Sequence, residues 1–131
     1  LGAEGVQIGT RFALTYESSA SDVFKEYCLR LNEGDTKLLL KKLAPTRLVT
    51  NSFRDAVEAA EDRGASAEEL RELLGRGRAK KGIFEGDLEE GELEIGQVAS
   101  LFRQQQSVAE VMKELLEEYE RRKQTLTTNL F

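Results

Sequence analysis

The sequence has no histidine and no tryptophan, and only one cysteine and one proline among its 131 residues. Without histidine the chain lacks the usual general base near neutral pH and the Ser-His and Cys-His pairs of nucleophilic enzymes. Cys28 cannot form an internal disulfide, and no Cys/His cluster has the spacing of a structural metal site. We therefore expect no metal site and no histidine-based catalytic residue in this chain, and a reducing compartment.

The charge balance is acidic, with 24 Asp and Glu against 19 Lys and Arg and a net charge of −5. A broad basic face is therefore not expected, which argues against a nucleic-acid partner. No apolar run approaches the roughly 20 residues of a membrane span and no signal peptide is visible, so we expect a soluble, cytoplasmic protein without a membrane partner. The chain starts at Leu1 and its only methionine is Met112, so we expect a fragment or a processed chain.

The N-terminal part predicts one strand and one helix. Apolar and polar residues alternate in Gly5–Leu14 (GVQIGTRFAL), which is typical of a strand that Gly9 interrupts. A serine cluster precedes a predicted helix over Asp22–Leu31, which places Cys28 on the apolar face as a buried, inert thiol. A lone strand has two unpaired edges, so we expect it to pair with a second copy or with a sheet formed by other sequence.

The middle of the chain predicts helices more clearly than strands. Lys37–Thr50 is rich in leucine and contains the only proline, and we interpret it as irregular with a strand near its end. Ser52 is expected to cap the next helix. The S-x-x-E pattern of Ser66 and Glu69 predicts a capping box for a helix that stops at Gly75.

Two charge runs follow. Arg76–Lys81 (RGRAKK) carries four positive charges. It could bind phosphates or an acidic carrier surface, but we favour a solvated helix end whose cations oppose the helix dipole. Glu85–Glu94 carries six acids and no base, without the ligand spacing of an EF-hand, and predicts an exposed loop.

The C-terminal part predicts two more helices. One is expected within Ile95–Phe102. Ser107 and Glu110 form a second capping box, which opens a helix whose apolar stripe is either core or partner-binding surface. The stripe contains Val108, Val111, Met112, Leu115, Leu116 and Tyr119. The polar tail after Lys123 is expected to fray.

One short motif could carry chemistry. In Gln7-Ile8-Gly9-Thr10, the glycine would let a phosphate approach the backbone, and the threonine could donate N–H and O–H groups to phosphate oxygens. From spacing alone, a simple turn at a strand end is the more common interpretation.

The same residues also carry a family resemblance. The opening LGAEGVQIGTRF resembles the last barrel strand of the nitronate monooxygenase family, formerly called 2-nitropropane dioxygenases, which includes FMN-dependent enoyl-acyl-carrier-protein reductases. The later GRGRAKKGIFEGDLEEGELEIGQVASLF is similar to the family's C-terminal segment, at Gly86, Asp87, Gly91, Gly96 and Gln97. The two matches come in the family's order and span nearly the whole chain.

The resemblance implies an α/β fold, namely the C-terminal fragment of a (β/α)8 TIM barrel, its last strand and helix, with a mostly helical added subdomain. The implied division is residues 1–35 for the last β/α unit with the FMN-phosphate strand, 36–106 for the helical subdomain with an irregular or short-strand segment, and 107–131 for the C-terminal amphipathic helix and tail. A full barrel takes about 250 residues, so this chain is about half of one.

The resemblance also implies the site. The family's contacts to the FMN phosphate carry over to Gln7, Ile8, Gly9 and Thr10, and Gly96 and Gln97 match a motif near the flavin. The histidine that the family places beside the flavin is not in this chain. We therefore expect no catalytic residue here and no activity from the fragment alone.

The implied parent enzyme oxidises nitronates with oxygen. The alternative is an FMN-dependent enoyl-acyl-carrier-protein reductase that uses NAD(P)H, with an acyl-thioester substrate and an acyl carrier protein as a partner. A hypothesis from another class is a helical interaction module that dimerises without catalysis. We expect a homodimer.

Overall fold

The computed structural model describes residues 2–128 of the chain. Within this range the elements follow one another in a fixed order. They are α1 (Thr10–Ala13), α2 (Asp22–Cys28), β1 (Thr36–Leu39), β2 (Thr46–Val49), α3 (Ser52–Asp62), α4 (Ala67–Leu74), a π-helix (Lys80–Phe84), a 3-10 helix (Gln97–Leu101) and α5 (Val108–Thr128). The helix expected within 95–102 is thus a 3-10 helix.

The stretch 37–50 forms a β-hairpin. Strands β1 and β2 pair antiparallel, from Thr36 opposite Val49 to Leu39 opposite Thr46. The predicted strand near the end of the stretch is confirmed, but the irregular start was wrong because it is a second strand. The connection begins at Leu40, which has φ 56 and is 1% exposed. A leucine held in the left-handed region by burial gives no turn signal in a sequence.

Helices α3 and α4 close one side of this hairpin. The cluster that they form, which we call the hairpin core, contains Leu39, Leu40, Leu48, Phe53, Val57, Ala60, Ala65 and Leu70. The capping box of Ser66 and Glu69 is confirmed. Ser52 was the wrong cap for α3, because the Asn51 Oδ1 accepts the N–H of Arg54 at 2.8 Å and an amide oxygen is an equally good cap.

The predicted strand over 5–14 is wrong. Residues 2–9 belong to no strand, and Thr10–Ala13 form the single turn of α1, in which the Ala13 N–H donates to the Gly9 carbonyl. A strand exists only where a neighbouring strand accepts its hydrogen bonds, and the described residues provide none for this segment. Helix α2 also ends earlier than expected, at Cys28, although Leu31 is still buried.

The acidic segment 85–94 is more ordered than the exposed loop that we predicted. The Asn51 Nδ2 donates to the carbonyls of Leu88 and Gly91, at 3.1 and 2.8 Å. The segment then runs antiparallel beside β2, because the Leu93 carbonyl accepts the Val49 N–H at 2.9 Å. Long-range hydrogen bonds of this kind leave no local sequence pattern.

A second cluster lies between the N-terminal helices and this segment. It contains Leu14, Ala20, Phe24, Cys28, Leu31, Val49, Leu93, Ile95 and Ala99. The Cys28 thiol is 0% exposed, so the prediction that it is buried is confirmed. Burial raises the pKa of the thiol to about 12, in agreement with the low reactivity that we expect. The domain boundaries at 35/36 and 106/107 stay predictions.

Helix α5 is the longest element. The Ser107 Oγ accepts the Glu110 N–H at 3.2 Å, and the Glu110 carboxylate accepts the Ser107 N–H at 2.7 Å, so this capping box is confirmed. The predicted fraying after Lys123 is wrong as far as Thr128, which is still helical, and residues 129–131 lie outside the described range. Among residues 2–128, no helix combines the length and apolarity that crossing a bilayer requires.

Candidate functional site

A shallow pocket of about 400 Å³ lies where α1, β2 and the end of the acidic segment meet. We call it the α1 pocket. Its lining consists of Gly9, Thr10, Ala13, Pro45, Thr46, Arg47, Glu94, Ile95 and Gly96. The fold thus brings together three of the six predicted site residues, although Thr10 and Gly96 are 86 positions apart.

Thr10 and Gly96 are in direct contact. The Gly96 N–H donates to the Thr10 Oγ1 at 3.1 Å. A Cβ on Gly96 would lie 2.4 Å from the same oxygen, so only glycine allows this approach. The hydroxyl has one donor hydrogen, which has no acceptor among residues 2–128. That hydrogen is free to donate to a ligand in the pocket.

Gly9 is a glycine that the described fold does not itself require. Its φ of −98 and ψ of −64 are open to any residue, and a Cβ there would meet nothing within 4 Å. Gly9 is exposed, lines the pocket and has no side chain, so a ligand in the pocket can approach its backbone. The backbone at the start of α1 is therefore exposed to the pocket.

Arg47 supplies positive charge to the α1 pocket. Its Nη1 donates to the Thr36 carbonyl at 3.3 Å and to the Thr36 Oγ1 at 3.2 Å, which holds the guanidinium in place. In the part of the chain that the structure describes, no carboxylate pairs with it. The exposed Glu94 lines the same pocket with the opposite charge. Sequence analysis missed Arg47, because a single arginine after Pro45 belongs to no motif.

The other three predicted residues lie elsewhere. Gln7 is exposed and lines none of the pockets described here. Ile8 faces an apolar groove, and Gln97 lines a separate pocket that contains Arg47 and Arg103. The predicted set is therefore divided between three pockets, and Gln7 lies in none of them.

The groove beside Ile8 separates the N-terminal segment from α5, and we call it the apolar groove. Its volume is about 710 Å³, and its lining consists of Val6, Ile8, Phe12, Met112, Leu115, Leu116, Glu118, Tyr119 and Arg122. Val6 is 85% exposed and Tyr119 is 62% exposed. The predicted stripe of α5 is thus core only at Val111, which is 1% exposed, is half-buried at Leu115 and is otherwise exposed.

A buried carboxyl lies two residues from the α1 pocket. Glu92 is 7% exposed. Burial, together with the charge of Glu94, raises the pKa of the Glu92 carboxyl to about 7. The prediction of a wholly solvated acidic run is therefore wrong at this position.

The basic run is largely paired within the chain. Arg78 donates to the carbonyls of Leu73 and Leu74 at the end of α4, and its guanidinium lies 4.5 Å from the Phe53 ring centre. Lys80 and Lys81 form ion pairs with Glu85 and Asp87. The interpretation as a helix end is confirmed only at Arg78, because Lys80 and Lys81 lie within the π-helix that follows. No group of three or more potential metal ligands occurs among residues 2–128.

Known proteins match this chain. The family model described as nitronate monooxygenase matches residues 1–118. A probable nitronate monooxygenase of Bacillus subtilis (strain 168) is 55% identical over 38 residues, which are 29% of this chain and 11% of that protein. The structure of FabK from Thermotoga maritima is 30% identical with a TM-score of 0.86, over 98% of this chain and 41% of that chain. A methionine-to-alanine mutant of FabK is 28% identical with a TM-score of 0.80, over 98% and 38%.

The chain shares an α/β fold with the matched FabK structures. The chain belongs to the nitronate monooxygenase family. It spans about two fifths of the length of the solved structures that it matches, and the sheet among residues 2–128 has two strands.

The α1 pocket fits the phosphate end of FMN. A phosphate needs N–H and O–H donors and positive charge, and its oxygens must reach the backbone. The pocket offers the free hydroxyl of Thr10, the open backbone at Gly9 and the guanidinium of Arg47.

Proposed function

We propose that this chain is the FMN-phosphate end of an oxidoreductase that oxidises nitronates with oxygen. The observation that carries the proposal is the meeting of Gly9, Thr10 and Gly96 in one pocket with Arg47. The family membership and the nitronate monooxygenase of Bacillus subtilis support the nitronate substrate.

The residues of this chain would bind the cofactor, and the cofactor would carry out the electron transfer. The Thr10 hydroxyl and the backbone at Gly9 donate to phosphate oxygens, and Arg47 offsets their negative charge. Gly96 keeps the Thr10 side chain in place through its N–H. FMN supplies electron transfer at its ring when it is bound. Gln7, Ile8 and Gln97 remain proposed flavin contacts.

A flavin titration tests the phosphate assignment. The chain is added to FMN and, separately, to riboflavin, which lacks the phosphate, and binding is followed by flavin fluorescence. We expect FMN to bind at least about tenfold more tightly, because charge-assisted hydrogen bonds to phosphate are lost in riboflavin. Thr10→Val should reduce this preference, whereas Thr125→Val, on the exposed end of α5, should not. Equal affinities for FMN and riboflavin would contradict the assignment.

A second candidate is an enoyl-thioester reductase that uses NAD(P)H. The similarity to FabK over 98% of the chain favours it. This candidate includes an acyl carrier protein that docks on the basic run. The structure gives that docking little support, because Arg78, Lys80 and Lys81 already have partners in the chain. Oxygen uptake with a nitronate, against NAD(P)H consumption with an enoyl thioester, distinguishes the two on the full-length enzyme.

The chain by itself is proposed to be inactive. It contains no histidine and about two fifths of the matched structures. With added FMN and a nitronate we expect no oxygen uptake above free FMN. Measurable turnover by the isolated chain would overturn this point.

The third candidate is not an enzyme. It is a helical interaction module that dimerises without catalysis, and the exposed apolar groove favours it. It predicts a concentration-dependent dimer that Leu116→Lys disrupts. Sedimentation equilibrium measures this. A monomer at all concentrations would remove both the module and the proposed homodimer of this chain.

A further inference from the structure

Arg11 follows Thr10 in the single turn of α1, but it does not line the α1 pocket. Its side chain is 15% exposed and reaches α5, where the Nη2 forms an ion pair with the Glu114 carboxylate. The Arg11 guanidinium also lies 5.4 Å from the Phe102 ring centre. The residue next to Thr10 is therefore attached to two parts of the fold that are far from it in the sequence.

The Glu114 carboxylate joins α1 to the segment that precedes α5. One of its oxygens accepts a hydrogen bond from Arg11, and the other accepts one from the Gln106 Nε2. The Gln106 carbonyl in turn accepts the Tyr16 N–H at 3.0 Å. The N-terminal part of the chain is thus held to this segment at Arg11, within α1, and again at Tyr16, shortly after it.

The charge of Glu114 matters because the Arg11 guanidinium is largely buried. The Arg11 Nε is buried and has no acceptor among residues 2–128. Within the same range, Glu114 is the one carboxylate at ion-pair distance from Arg11. Removing one partner of such a pair leaves a poorly hydrated charge without compensation, which is strongly unfavourable. We therefore expect Arg11 to leave the Phe102 ring and turn toward water when Glu114 loses its charge.

Helix α1 depends on contacts of this kind because it is too short to be stable by itself. The Ala13 N–H donates to the Gly9 carbonyl at 2.9 Å, and one such bond does not offset the cost of fixing a helical turn. The position of Thr10 is therefore set by what α1 is attached to. Inside the pocket, the Gly96 N–H bonds the Thr10 hydroxyl at 3.1 Å. Outside the pocket, Arg11 supplies the attachment.

We infer that Glu114 is a positioning residue for the α1 pocket, which acts through Arg11 to hold α1 where the Thr10 hydroxyl meets a phosphate oxygen. The inference rests on the proposed function for the identity of that ligand, whereas the placement of Thr10 is a property of the chain without ligand. Glu114 is 103 positions from Arg11 and does not line the pocket, so no local sequence pattern indicates this role.

The first measurement needs no ligand. In ¹H–¹⁵N NMR of the chain, the Gly96 amide reports its hydrogen bond to the Thr10 Oγ1. Glu114→Gln keeps the size of the side chain and removes its charge, so the Gly96 amide proton should shift upfield as that bond lengthens. Glu117→Gln removes the same charge from an exposed position on α5, where Lys113 is 3.9 Å away, and should leave the Gly96 amide unchanged.

The second measurement is the preference for FMN over riboflavin. Glu114→Gln should lower this preference about fivefold, because a displaced Thr10 hydroxyl makes a weaker hydrogen bond to the phosphate. Glu117→Gln should change it less than about twofold. In the Thr10→Val chain, Glu114→Gln should have no further effect, since the hydroxyl through which it acts is gone. A general loss of structure would instead lower the binding of both flavins and would not depend on Thr10.

Glu114→Asp provides a second variant if Glu114→Gln does not fold. It keeps the charge on a shorter side chain, so the upfield shift of the Gly96 amide and the loss of FMN preference should both appear at a smaller size. The same double-variant comparison with Thr10→Val applies to it.

Failure of this inference differs from failure of the FMN proposal. An unchanged preference for FMN in Thr10→Val would contradict the FMN proposal. A Gly96 amide that keeps its position in Glu114→Gln would overturn the positioning role, with or without a flavin. The positioning role would also be overturned if Glu114→Gln reduced the FMN preference equally in chains with and without the Thr10 hydroxyl.

Discussion

The hairpin core and the apolar groove are both built from aliphatic and aromatic side chains, but only one of them is covered. Phe53 and Leu70 in the hairpin core are 2% and 0% exposed. Leu116 and Tyr119 in the apolar groove are 59% and 62% exposed. The apolar residues of the first region all lie between residues 39 and 74, and Arg78 lies over the Phe53 ring. The second region has a surface that the described residues leave in contact with water.

The exposed apolar groove agrees with the finding that this chain covers only part of the length of its relatives. The matched part of FabK is 41% of that protein. A large exposed apolar surface is unusual in a finished soluble domain and marks a surface that packs against something else. Stability of the isolated chain should therefore depend on the hairpin core and very little on the groove.

The strongest test of this contrast is truncation of one large side chain in each region. Phe53→Ala should lower the free energy of unfolding by about 4 kcal/mol, because it leaves a cavity and removes the ring under Arg78. Leu116→Ala should change it by less than about 0.5 kcal/mol, because the side chain is already hydrated. Urea denaturation followed by circular dichroism measures both. Similar losses would show that the groove is closed in solution.

Two glycines provide the next test. A Cβ on Gly91 would lie 2.2 Å from the Cα of Gly82, and a Cβ on Gly9 would meet nothing within 4 Å. Gly91→Ala should therefore cost about 3 kcal/mol through overpacking. Gly9→Ala should change stability by less than about 1 kcal/mol. Thermal unfolding of the two variants gives the comparison, and a tolerated Gly91→Ala would contradict the close crossing.

A third test uses pH. The pKa of Glu92 is about 7 in the folded chain, above its ordinary value of 4.5. Between these values the folded state holds a proton that the unfolded state has lost, so stability is highest at the acid end and falls as pH rises through 7. The loss should be on the order of 2 kcal/mol between pH 5 and 8.

Glu92→Gln should remove most of that slope, whereas Glu118→Gln, on the exposed side of the apolar groove, should keep it. Unfolding free energies at several pH values measure the slope. An unchanged slope in Glu92→Gln would show that the carboxyl is hydrated in solution.

The smallest expected difference concerns helix caps. Asn51 caps α3 and also holds the carbonyls of Leu88 and Gly91, whereas Ser107 only caps α5. Asn51→Ala should cost more than Ser107→Ala by about 1 kcal/mol, because it leaves partly buried acceptors without a donor. Equal losses in chemical denaturation would mean that water replaces the amide at both carbonyls.

The sequence predicted what short-range chemistry decides. The capping boxes at Ser66 and Ser107 depend on residues three positions apart, so a local pattern was sufficient. The hairpin was half missed because its turn uses Leu40 with φ 56, which only tertiary packing explains. The N-terminal strand was wrong because strand formation depends on a partner outside the segment.

The candidate site was likewise predictable only where its residues form a local motif or a family motif. The Gly9-Thr10 motif is local, and the family resemblance added Gly96. Their meeting through the contact between Thr10 and Gly96 is a property of the fold. Arg47 had no sequence signal, because its role comes only from the hairpin that carries it to the wall between two pockets.

The pairing of the acidic segment with β2 joins the wall of the α1 pocket to the hairpin through backbone hydrogen bonds. The Val49 N–H bonds the Leu93 carbonyl and the Ile95 N–H bonds the Arg47 carbonyl, and Gly96 follows directly. These amides can exchange their hydrogens with solvent only when the edge of the hairpin opens. The wall that holds Thr10 in place should therefore persist about as long as the hairpin core itself, so the pocket does not have to be assembled each time a ligand arrives.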